Sequence, residues 1–175
     1  ALLLGTVIAE GFVAVEAEDP ERVKEIGRRV LALSKAINVE KAVLERAKSI
    51  TDKADLKDWA AVRKEFDGAL HDVKGAMEEL GDNELAQLVS MGGWIRGTQV
   101  LTSIVRKTYT PEGAELLHQP ALLNYFSKQL GTLSSKRLSN DRFVVRIRKM
   151  LEDIRPLIGE KDGDNISLDN VKKIN

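Results

Sequence analysis

The sequence predicts an all-α fold, an antiparallel helical bundle of about five long helices with short additional helices. Three observations carry that expectation. Apolar residues recur at steps of three and four along most of the chain, the spacing of one helix face. Asp19-Pro20-Glu21 and Thr110-Pro111-Glu112 each set a capping side chain before a proline that suits the first helical turn. No stretch alternates apolar and polar residues as a half-buried strand would.

Taken in order, Leu4, Val7, Ile8 and Phe12 suggest a helix over 2–17. Pro20 opens a second, to about Ile37, with Val23, Ile26, Val30 and Leu33 on one face. Asn38 is the expected cap of a third, Val39 to Ile50. Leu56, Trp59, Val62, Phe66, Leu70, Val73, Met77 and Leu80 form a near-heptad seam, which predicts a long fourth helix over 55–80. Gly81 stops it, and Asp82 or Asn83 caps a fifth to about Tyr109. A short helix to Leu117 follows, then one from Ala121 to Leu130 after Pro120. Residues 131–140 read as a loop. Asn140 or Asp141 caps a last long helix to Ile158, with Phe143, Ile147, Leu151 and Ile154 expected on its buried stripe. Residues 1–158 form the expected bundle domain. Residues 159–175 read as a polar linker and a short C-terminal helix, capped by Ser167 and dispensable for folding.

Composition narrows the class. Aromatics are only 5%, so the core rests on Leu, Val, Ile and Ala. There is no cysteine, which excludes disulfides, thiol catalysis and Cys-ligated metals. Lys plus Arg and Asp plus Glu both number 27, so no global field recruits nucleic acid. The charge is nonetheless blocked: residues 51–90 hold ten acids and five bases, whereas residues 131–158 hold seven bases and three acids. The apolar run Ala1–Ala9 ends at Glu10, short of the ~20 residues that span a bilayer, and the expectation is a soluble chain with no transmembrane segment. Because it opens on Ala1, export with removal of a signal is expected, and a cytoplasmic location is the alternative.

Several residues invite a functional reading. Asp67 and His71 share a helix face as two metal ligands could, but Lys74 lies there too, and a solvated face is preferred. His118 sits at a helix break, suited to bonding carbonyls. Asp162-Gly163-Asp164-Asn165 fails the calcium-loop pattern, which needs an oxygen ligand at Ile166 and Glu at Lys173. No metal or cofactor is expected. Arg142, Arg146 and Lys149 line one face of the last long helix as a possible anion-binding surface, interrupted by Glu152 and Asp153. In the fifth helix, Gly93 and Gly97 lie four apart and suggest close packing. Trp94, Arg96, Gln99 and Ser103 nearby form the candidate binding stripe, with Arg96 expected to meet a carboxylate of the acidic fourth helix or to face a cleft.

The functional expectation is a non-enzymatic bundle that binds a protein partner or a small ligand. The alternatives are an enzyme with a dispersed site around Arg96 and His118, or a self-assembling structural protein.

Overall fold

The computed structural model describes residues 1–159 and 165–175. Among these residues every regular element is helical. They form two compact units, residues 1–96 and 97–175.

The first unit contains α1 (Leu2–Glu16), α2 (Pro20–Ala36), α3 (Glu40–Asp55), α4 (Trp59–Glu79) and the opening residues of α5 (Asn83–Lys107). Helix α1 packs on α2, α2 on α3 and α3 on α4, and α1 also packs on α4, which closes the bundle. One turn recurs at the end of all four. The Asp19, Val39, Asp58 and Asp82 amides donate back to the Ala14, Ser34, Lys53 and Met77 carbonyls at 3.1, 2.9, 3.0 and 2.8 Å. Glu18, Asn38, Lys57 and Gly81 take positive φ of 52°, 60°, 56° and 77°. This is the Schellman arrangement, which satisfies carbonyls at the end of a helix. Asp19 and Asp58 then cap the next helix, accepting from the Arg22 and Ala61 amides. One short motif thus ends a helix and starts another, and so returns the chain antiparallel.

A side chain with a Cβ is strained in the left-handed region, and Lys57 is exposed there. Lys57→Gly should therefore raise stability by about 0.5–1 kcal/mol, the relieved strain outweighing the added freedom of the unfolded chain. Urea melts check this through the midpoint.

The same turns correct three expectations. Asn38 is the left-handed residue, not the cap, and Val39 precedes α3 without a side-chain cap. Helix α3 continues to Asp55, past the expected end at Ile50. Leu56 and Leu80, the ends of the expected seam, lie in turns and are 79% and 59% exposed. The middle of the seam holds: Val62, Phe66, Val73 and Met77 are buried.

Polar contacts tie α3 to α4. Glu65 accepts from Ser49 at 2.9 Å and from Arg46 at 3.0 Å, and it pairs with Lys53; Arg46 also pairs with Asp72. The Lys53 bond, with help from Ser49 and Arg46, holds the Glu65 carboxyl below the usual glutamate range. A depressed folded-state pKa stabilises above the unfolded value, about 4.3, and that contribution fades as pH falls through the lower folded value. Glu65→Gln should cost ~1–3 kcal/mol at pH 7, and the difference from wild type should shrink steadily below about pH 4. Denaturant melts from pH 7 to 3 measure this, and a gap that does not depend on pH would contradict it.

Helix α1 crosses α5 at unusually short range. A Cβ on Gly5 would lie 1.8 Å from the Val89 carbonyl oxygen, and one on Gly92 would lie 2.0 Å from that of Leu2. The Thr6 hydroxyl lies 3.2 Å from the Leu2 and 3.3 Å from the Gly92 carbonyl oxygen. The close approach expected at Gly93 and Gly97 is thus displaced. A Cβ on Gly93 would make an ordinary 3.7 Å contact with the Gly5 carbonyl oxygen, and one on Gly97 would meet nothing within 4 Å among the described residues.

The second unit contains the rest of α5, α6 (Pro111–Glu115), α7 (Pro120–Gly131), α8 (Lys136–Ser139), α9 (Arg142–Ile154), a 3-10 turn (Arg155–Leu157) and α10 (Leu168–Ile174). The expected loop over 131–140 contains α8, capped by Ser135. Helix α9 stops short of Ile158 because Pro156 cannot continue its hydrogen bonding.

The C-terminal residues are integral to this unit, contrary to the expectation of a dispensable tail. Val171 is fully buried. Asn175 Oδ1 accepts from Thr102 at 3.2 Å and from Ser103 at 3.0 Å. Asn170 donates to the Leu157 carbonyl at 3.2 Å, and the Tyr109 hydroxyl donates to that of Ile166 at 3.0 Å. The Asp162–Asp164 part of the failed calcium loop lies outside the described residues.

Candidate functional site

Helix α9 carries the most unusual surface of the second unit. Asp141 caps it by accepting from the Phe143 and Val144 amides, which fixes the start at Arg142. Val144, Ile147 and Leu151 then turn inward at steps of three and four. Phe143 lies one residue before that stripe and is 57% exposed, so its expected place in the core is corrected. Val145 and Met150 are 49% and 41% exposed. Arg142, Arg146 and Lys149 are exposed on the same helix, and Lys136 and Arg137 are exposed on α8. Basic and large apolar side chains thus intermingle over about two and a half turns.

Arg148 of α9 and Arg155 of the 3-10 turn are committed to the fold. Arg148 donates to the Leu130 carbonyl at the end of α7, with its Nε at 3.1 Å. Arg155 bonds Asn124 and Ser127 on α7. Lys149 pairs with Asp153 at 3.1 Å, with both side chains well exposed, so that pair is weak.

A second cluster lies in the first unit. Glu10 on α1 faces Arg22 Nη2 at 3.5 Å, Arg29 Nη1 at 3.3 Å and Arg96 Nε at 3.6 Å. Of the two placements expected for Arg96, a cleft or a carboxylate of the fourth helix, Arg96 does border a cavity, and the second is corrected, since the carboxylate it meets here comes from α1. The only signal for this in the sequence is that Glu10 is the sole charge in an otherwise apolar stretch, residues 1–15. Glu10, Val13, Ala14, Arg22 and Arg96 border a cavity of ≈ 160 Å³. A second cavity of ≈ 200 Å³ lies among Pro120, Leu123, Asn124 and Arg155. Both fall below the roughly 300–1,000 Å³ of ordinary ligand pockets.

The expected binding stripe does not converge on one site. Arg96 joins the Glu10 cluster, Ser103 bonds Asn175, Gln99 is exposed and Trp94 is half-buried. His118 Nδ1 donates to the Ile158 carbonyl at 2.8 Å, which ties it to the chain after α9. His71 is exposed. Among the described residues no three His, Asp or Glu side chains could together hold a metal ion. No described helix is long and apolar enough to cross a membrane. No protein-family model matches the chain, and no curated protein or solved structure does either.

Proposed function

We propose that the chain acts by docking an acidic protein surface onto the exposed face of α9, with no chemistry of its own. One observation carries the reading: Phe143, Val145 and Met150 each stay more than 40% exposed beside Arg142, Arg146 and Lys149. Phe143 and Met150, seven residues apart, share one side of α9, Val145 lies across the basic residues from them, and an exposed apolar patch rimmed by polar side chains marks an interaction surface. Aromatic, Met and Arg side chains are also the types enriched at protein interfaces. Arginines beside apolar groups select a partner that is both acidic and partly apolar. Glu152 and Asp153 bound the patch at the C-terminal end of α9.

Calorimetric titration with poly-L-glutamate at low salt tests the reading. The wild type should bind, and more weakly as salt rises. The variant R142E/R146E/K149E, altered only at exposed positions, should keep its circular dichroism and bind at least tenfold more weakly. Equal binding by the two proteins would remove the reading.

A further inference from the structure

The α4–α5 turn has the complementary chemistry to the α9 face. Glu78, Glu79 and Asp82 are exposed there around Leu80, which is itself 59% exposed. Residues 75–95 hold four acids and no base, whereas residues 128–150 hold seven bases and one acid. Of the other exposed turn leucines, Leu56 lacks this character, because Lys57 adjoins it and Asp55 pairs with Lys24, and Leu116 has two acids near it in sequence, Glu112 and Glu115, rather than three. The hydrogen bond from the Asp82 amide to the Met77 carbonyl and the left-handed Gly81 hold the acidic turn in one shape.

Resting on the docking reading above, we infer that the partner is a second copy of this chain, whose acidic α4–α5 turn seats Leu80 against Phe143 and Met150 while Glu78, Glu79 and Asp82 meet Arg142, Arg146 and Lys149. Such a contact joins two different patches, turn of one copy on face of the next, and so links copies of the same chain. The chain's zero net charge puts no overall repulsion between copies.

Sedimentation equilibrium on the full chain, with a charge-swap pair, tests this. The wild type should self-associate, and less so as salt rises. R142E/R146E/K149E should self-associate at least tenfold more weakly, because its face and turn are both acidic. E78K/E79K/D82K should do the same, because both are basic. An equimolar mixture of the two variants should associate again, since in the mixed pair each contact joins opposite charges. A monomeric wild type at every concentration, or a mixture that stays monomeric, would overturn the inference. A monomeric wild type that still binds poly-L-glutamate through α9 would keep the docking reading and discard the second copy. Binding to phosphatidylserine vesicles in place of self-association would also overturn it, in favour of a membrane surface.

Discussion

Truncating Phe66 to alanine should cost about 3–5 kcal/mol. The ring is fully buried in the first unit. It lies 6.0 Å from the Phe12 ring in a tilted arrangement, and a Cβ on Gly11 would come 2.4 Å from its edge. Gly11 therefore leaves the space that the ring fills, and removing the ring opens a void where α1 meets α4. The neighbours are held by the closed ring of helix contacts and can collapse only partly. Denaturant melts should show the midpoint falling, and a loss below ~1 kcal/mol would mean that the seam is not packed as described.

Substituting Gly5 by alanine should be comparably severe. The added Cβ would meet a carbonyl oxygen at 1.8 Å, and backbone cannot swing aside as a side-chain tip can. Helices α1 and α5 would have to separate, with loss at or above the upper end of the ~1–3 kcal/mol typical of overpacking. Gly97→Ala is the matched control. A Cβ there meets no described atom within 4 Å, and alanine favours the helix over glycine by ~1 kcal/mol, so that variant should be unchanged or slightly more stable. Equal effects at Gly5 and Gly97 would contradict the crossing.

The helices were legible because apolar spacing and capping residues are local signals. The Pro20 and Pro111 starts, the buried middle of α4 and the Ser167 cap all fall where the sequence places them. What escaped it depends on partners distant in sequence. The glycines of α5 announce a close approach, but only the position of α1 selects Gly92 over Gly97. Left-handed turns at Glu18 and Lys57 carry no glycine to mark them. Arg96 and Glu10 meet across helices, so neither residue's neighbours in sequence point to the other. The α9 surface turns on one residue of register: Asp141 as the cap, with Val144 first on the inward stripe, leaves Phe143 outside. Charge spacing alone marks Arg142, Arg146 and Lys149, whereas the apolar half of that surface depends on burial, which the spacing of charges does not carry.

The docking of a second copy on α9 can be tested at the contact itself. A photo-crosslinking amino acid placed at Phe143, in a mixture of isotopically light and heavy copies, reports what covers that position and whether it belongs to another molecule. The crosslinked peptides should pair light with heavy chains and should contain residues 78–84. Irradiation that yields no product between copies, or products scattered without preference for the acidic turn, would contradict the account.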